Sequence, residues 1–150
     1  MTQEQIYNRM AALCSRREYC KSDISAKIAA LSADADAQAI ISRLCEEKFL
    51  DESRYAAAFV RDKSRLQGWG DMKIRFALQR KGLGKETIDE ALSQIDAQAQ
   101  TERLTKLMRA KAQALKNATV DEKRAKLIRF AVSRGFSYSQ ADMICKSIIE

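Results

Sequence analysis

FLDESRYAAAFVRDKSRLQGWGDMKIRFALQRKGL, residues 49–83, is the densest run of helix start and stop signals in the chain. Asp51 is a natural N-cap, because its carboxylate accepts hydrogen bonds from the free N–H groups of a first helical turn. Leu50 before the cap and Tyr55 after it stand at the two positions of a hydrophobic staple. Tyr55, Ala58, Phe59 and Asp62 then recur at helical spacing. Gly68-Trp69-Gly70 breaks that helix. A second follows, with Ile74, Ala77 and Leu78 on one face and Gly82 as its C′ residue. Asp51, Tyr55, Phe59, Trp69 and Gly82 therefore read as a packing hub of two short helices around a corner.

The flanking sequence extends the same plan. The 150 residues contain no proline and five glycines, and good helix formers dominate. No window sustains the apolar–polar alternation of a strand, so the chain reads as all-α. In the first fifty residues, one helix spans Ile6, Met10 and Leu13. A second starts at Ser22 over Ile24, Ile28 and Leu31, and a third starts from about Asp34 over Ile40, Ile41 and Leu44. Residues 51–95 repeat this, with Ile88, Leu92 and Ile95 on the third helix. The last third does so again. Leu104, Leu107, Met108 and Leu115 lie on its first helix. Its second is capped at Thr119 with Glu122 in the box and buries Leu127, Phe130 and Ala131. Its third is capped at Ser137 with Gln140 and buries Ala141, Ile144 and Ile148. Arg80-Lys81-Gly82-Leu83 aligns with Ser133-Arg134-Gly135-Phe136, and on that offset Ile74 meets Leu127 and Ile88 meets Ala141. The predicted architecture is three tandem three-helix repeats, residues 1–50, 51–96 and 97–150, forming an elongated, curved array.

Chemistry is sparse. There is no histidine, no phosphate-binding glycine loop and no nucleophile elbow, so an enzyme is not expected. The four cysteines, Cys14, Cys20, Cys45 and Cys145, form no Cys-x-x-Cys pair, and neither a metal nor a cofactor is expected. No apolar run is long enough to cross a bilayer and the N-terminus is too polar for a signal peptide, so a cytosolic protein without membrane contact is expected. Charge is uneven. Residues 1–50 are neutral overall, and residues 97–150 carry eleven basic against five acidic side chains, most of the chain's +7. Such bias suits a polyanion or an acidic protein surface, and solubility alone accounts for it equally well.

Four segments carry a family resemblance. They are Ser15-Arg16-Arg17-Glu18-Tyr19 with Asp23-Ile24, Leu44 to Ala56, Phe59-Val60-Arg61-Asp62, and Gly68-Trp69-Gly70 with Ile74, Leu78 and Lys81-Gly82-Leu83. In these the chain resembles the RecX family of regulators of the RecA recombinase. Cys20 stands where that family prefers serine, and Lys48 where it prefers glycine. The first implies a weaker helix cap, and the second puts a non-glycine residue in a tight joint. The resemblance implies a non-enzymatic protein, expected as a monomer, that docks along the RecA–DNA filament and restrains ATP hydrolysis and strand exchange. The alternative is a basic helical module that binds single-stranded or duplex DNA directly, if weakly.

Binding candidates follow from the charge pattern. Arg54, Arg61 and Arg65 recur along the first helix of the middle repeat, and Lys73, Arg80 and Lys81 on the polar side of the next. In the basic third repeat they are Lys106, Arg109, Lys123, Arg124, Lys126 and Arg129. Trp69, the one tryptophan, is expected as a buried wedge in a helix seam.

Overall fold

The computed structural model describes residues 1–149. Among these there are nine helices and no strand: α1 (Gln3–Cys14), α2 (Lys21–Leu31), α3 (Ala37–Glu46), α4 (Glu52–Arg65), α5 (Asp71–Arg80), α6 (Lys85–Ser93), α7 (Ala97–Ala114), α8 (Val120–Ser133) and α9 (Tyr138–Ile149). They fall into threes, as the repeat predicts.

Helix starts follow the caps. The Asp51 carboxylate accepts from the N–H groups of Ser53 (2.9 Å) and Arg54 (3.1 Å). The Thr119 hydroxyl accepts from the N–H of Glu122 (3.2 Å) and the Ser137 hydroxyl from that of Gln140 (3.1 Å). Two starts differ from the reading above. Helix α3 begins at Ala37, not near Asp34, because the carboxylate that caps it is Asp36, which accepts from the Ala39 N–H at 3.1 Å. Helix α2 begins at Lys21, with Cys20 as its N-cap. The Asp23 carboxylate reaches back to the Cys20 N–H at a long 3.5 Å. The buried residues of α4 are Tyr55, Ala56, Val60 and Ser64, whereas Ala58 and Phe59 are half-buried and Asp62 is exposed. Phe130 is also half-buried where a core position was expected.

Three helices close in one way. After α5 the Leu83 N–H reaches the Leu78 carbonyl (3.2 Å) and the Gly82 N–H that of Gln79 (3.0 Å), with Gly82 at φ +86°. After α8 the Phe136 N–H reaches Ala131 (3.2 Å) and the Gly135 N–H reaches Val132 (3.0 Å), with φ +99°. This is the Schellman closure, in which a left-handed residue turns the chain back over the last carbonyls. Helix α3 closes identically, but the left-handed residue is Lys48, at φ +65°.

The chain divides into two compact units. One comprises Met1–Phe59 with Leu78–Ala91, the other Val60–Ala77 with the chain from Leu92 onward. The first holds a core of Ile6, Tyr7, Met10, Ile24, Ile28, Ile40, Ile41, Leu44 and Leu50. The second is built on Leu104, Met108, Leu127, Ala131, Phe136, Ala141, Ile144 and Cys145. Each fully buried aliphatic side chain contributes roughly 1.5–3 kcal/mol. The aligned positions agree: Ile74, Leu127, Ile88 and Ala141 are all completely buried.

Candidate functional site

In the second unit, the corner at Gly68–Gly70 docks on the joint between α8 and α9. The Gly70 N–H donates to the Arg134 carbonyl (2.7 Å) and the Met72 N–H to the Gly135 carbonyl (3.0 Å). Two backbones touch there. A Cβ on Gly70 would stand 2.6 Å from the Gly135 carbonyl carbon, and one on Gly135 would stand 2.4 Å from the Lys73 Cβ. Arg134 secures the corner further, donating from Nη1 to the Gln67 carbonyl (2.8 Å).

That docking gathers cations around two rings. Trp69 is half-buried, not enclosed, with Lys63 Nζ 4.7 Å and Lys73 Nζ 4.5 Å from its ring centre. Phe130 lies under the Arg134 guanidinium (5.0 Å) and Lys111 Nζ (5.8 Å). Ammonium and guanidinium groups are attracted to the negative face of an aromatic ring, so each ring holds charge that would otherwise disperse.

Two open hollows flank α7 and α8. One, of about 550 Å3, is lined by Arg109, Lys116 and Lys123, with Ser147 and Ile148 from α9. The other, of about 490 Å3, is lined by Lys111, Lys126, Arg129 and Phe130. Among the described residues no carboxylate lines either. Such surfaces attract anions. Among the described residues no cluster of three or more His, Cys, Asp or Glu could hold a metal ion, and no helix is long and apolar enough to cross a membrane.

The candidate cations are sorted by this geometry. Arg109, Lys123, Lys126 and Arg129 come together in the two hollows, and Lys73 joins the Trp69 corner. Lys106 and Arg65 are exposed elsewhere, and Arg61 makes a long contact with Asp62 (3.9 Å). Arg124 is an internal tie, bonded to Asp142, which also takes Lys146 at 3.4 Å. Burial alone would raise the Asp142 carboxyl; the bonded Arg124 and Lys146 outweigh it and hold the group below its usual range.

In the first unit, Arg54 is equally committed. Its Nε meets Glu18 at 2.9 Å, and its Nη2 reaches the carbonyls of Lys48 (3.2 Å) and Phe49 (3.4 Å). Lys81 pairs with Asp23 at 2.7 Å, and its carbonyl accepts from the Ser22 hydroxyl at 2.7 Å. Arg80 is exposed. Sequence reasoning passed over Lys63, Lys111, Lys116, Phe130 and Arg134 as site residues. The signal for Lys63 was its position six residues before Trp69, which α4 and its turn fold back onto the ring.

The family model of the RecX second three-helix domain matches residues 51–92, and that of the RecX third three-helix domain matches residues 98–144. The regulatory protein RecX of Clostridium botulinum (strain Eklund 17B) is 37% identical over 111 residues, 73% of this chain and 51% of that protein. The Limosilactobacillus reuteri protein of that name is 28% identical over 98% of this chain and 56% of its own length. The Thermus thermophilus one is 32% identical over 83% of this chain and 78% of its own. The chain spans about half the length of the first two. Among solved structures, a regulatory protein RecX superposes with TM-score 0.86 at 28% identity, covering 96% of this chain and 71% of that one. RecX from Lactobacillus salivarius shares the fold, with TM-score 0.87 at 22% identity, covering 97% and 96%.

Proposed function

The chain belongs to the RecX family, and from that membership we propose that it binds RecA or the RecA–DNA filament and restrains ATP hydrolysis and strand exchange. The supporting observation is the pair of basic hollows beside α7 and α8, lined by no carboxylate among the described residues. A recombinase filament carries phosphate along its whole length, and cations held open in shallow hollows meet such a surface without deep insertion. The protein acts by occupancy: no bond is made or broken by its own side chains.

The test is RecA-dependent ATP hydrolysis on single-stranded DNA with this protein titrated in. The rate falls with added protein; an unchanged rate at saturating, folded protein overturns the proposal.

A second reading is direct nucleic-acid binding. It is favoured by Phe130, an aromatic ring inside a basic hollow, since bases stack on such rings. Gel-shift binding to free single-stranded DNA, compared with RecA filaments at equal salt, separates the two. Filament-selective retention supports the regulator, and equal retention supports the module.

A further inference from the structure

A third hollow, of about 390 Å3, lies in the first unit. It is lined by Arg17, Tyr19, Asp23, Lys27, Tyr55 and Lys81, with Ser22 and Ala26. The Arg17 guanidinium stands 4.6 Å from the Tyr19 ring centre, and Lys27 Nζ stands 5.5 Å from it. Asp23 is the only carboxylate among the described lining residues, and it is committed to Lys81 at 2.7 Å. The nearby acids are engaged too: Glu18 holds Arg54, and Glu52 accepts the Lys21 backbone N–H at 3.1 Å. Arg17 and Lys27 therefore face the hollow without a balancing charge there. Burial, followed by the charge of the Cys20 and Asp23 groups, pushes the Tyr55 hydroxyl up to about 12, so the hollow gains no negative charge at neutral pH.

This arrangement recurs. The residue two places before the second helix of a repeat is Tyr19 in the first and Trp69 in the middle one. Cations stand over each ring, Arg17 and Lys27 over Tyr19, Lys63 and Lys73 over Trp69. The third repeat has Ala118 there. The cation–ring contacts hold these charges together, and in the first repeat the one carboxylate among the described lining residues, Asp23, is already paired with Lys81, so the hollow suits an anion.

We propose that the Arg17–Tyr19–Lys27 hollow binds a backbone phosphate of a single nucleic-acid strand. The ring holds the two cations in place, the cations neutralise the phosphate, and the tyrosine surfaces take the adjoining sugar or base. The aromatic lining favours a nucleotide over an acidic peptide, whose carboxylates bring no flat apolar surface to set against it. This site is independent of the hollows beside α7 and α8, and of any role at RecA.

The test uses the full chain without RecA and a fluorescently labelled oligo-dT, read by anisotropy across a salt series. Arg17→Ala with Lys27→Ala weakens binding about fivefold and lowers the log–log salt slope by about 1.4, for two contacts of about 0.7 each on a single strand. Arg9→Ala with Arg16→Ala, equal in charge, leaves the slope unchanged. Tyr19→Phe retains binding, because only the ring is required, and Tyr19→Ala loses it. Parental affinity and slope in the folded Arg17/Lys27 variant overturn the proposal. So does competition by polyglutamate, or by inorganic phosphate or free dTMP, that matches oligo-dT charge for charge; these assign the hollow to an acidic peptide or to a free phosphate.

Discussion

Lys48 does a glycine's task. An L-residue in the left-handed region costs about 1–2 kcal/mol, and glycine in its place carries about 0.5–1 kcal/mol of extra unfolded-state entropy. Arg54 holds the strained joint, binding the carbonyls of Lys48 and Phe49 while Glu18 fixes its guanidinium. Lys48→Gly is therefore expected to stabilise the protein by about 0.5 kcal/mol, read as a higher urea midpoint with unchanged slope. Trp69 calls for a smaller figure than a core tryptophan. A fully enclosed one costs about 3–5 kcal/mol on truncation, and Trp69 is only half-buried beneath two lysines, so Trp69→Ala should cost about 2 kcal/mol. Urea unfolding of the variant checks this. Asp51, Thr119 and Ser137 were legible as caps because a cap needs only its own next turn. The exposure of Trp69 was not legible, because it depends on where Lys63 and Lys73 fold back.

At the scale of elements, two joints are built alike and fitted differently. The start of α2 meets the joint after α5 through the Ser22 hydroxyl and the Lys81 carbonyl. The start of α5 meets the joint after α8 through the Gly70 and Met72 N–H groups. Gly82 and Gly135 both have positive φ, but nothing lies within 4 Å of a Cβ on Gly82, while one on Gly135 strikes Lys73 and Gly70. Gly82→Ala should cost about 1 kcal/mol, from backbone strain alone. Gly135→Ala should cost about 3 kcal/mol or more, adding overpacking against backbone. Thermal melts of the two variants side by side check the order. The first joint also carries the Asp23–Lys81 pair. Burial would raise the Asp23 carboxyl, but its bond to Lys81, its bonds to Cys20 and the Lys81 charge together outweigh this and lower it; the bond to Asp23 raises Lys81. Asp23 therefore contributes stability above about pH 4 that is lost as pH falls through its lowered value, and Lys81 contributes it below about pH 10.4. The stability gap between the parent and Asp23→Asn should stay level from about pH 5 to 9 and shrink in acid, as urea midpoints will show. The sequence offered Gly82 and Gly135 as equivalent stops. Their different crowding is set by residues sixty or more positions away, which no local pattern carries.

Across the whole molecule, charge is the property least explained by folding. The excess in the last third was plain from composition, but which cations are open for contact was not. Arg124 and Lys146 share Asp142, so reversing Arg124 would set two carboxylates together between α8 and α9 and confuse a binding assay. Lys126 and Arg129 lie in a hollow with no carboxylate among its described lining residues and are the better probe. Lys126→Glu with Arg129→Glu should weaken filament binding and lower its salt slope by about 1.4–1.8, for two phosphates, with helicity intact by circular dichroism. Arg9→Glu with Arg16→Glu is the charge-matched control. Equal inhibition of RecA by both double variants would make the third repeat's charge a solubility device. The close fit of Gly70 on Gly135 has one more consequence. Cys20 holds in the first repeat the place that Gly70 holds in the second, just before the second helix, and in the joint after α5 nothing lies within 4 Å of a Cβ on Gly82. Set against Gly135, the Cβ of a cysteine would collide with main chain. The repeats are thus not interchangeable bricks: a gene rearrangement that permuted them, or spliced the first directly onto the third, would meet a steric bar, and their succession along the polypeptide is enforced by a single missing methyl group.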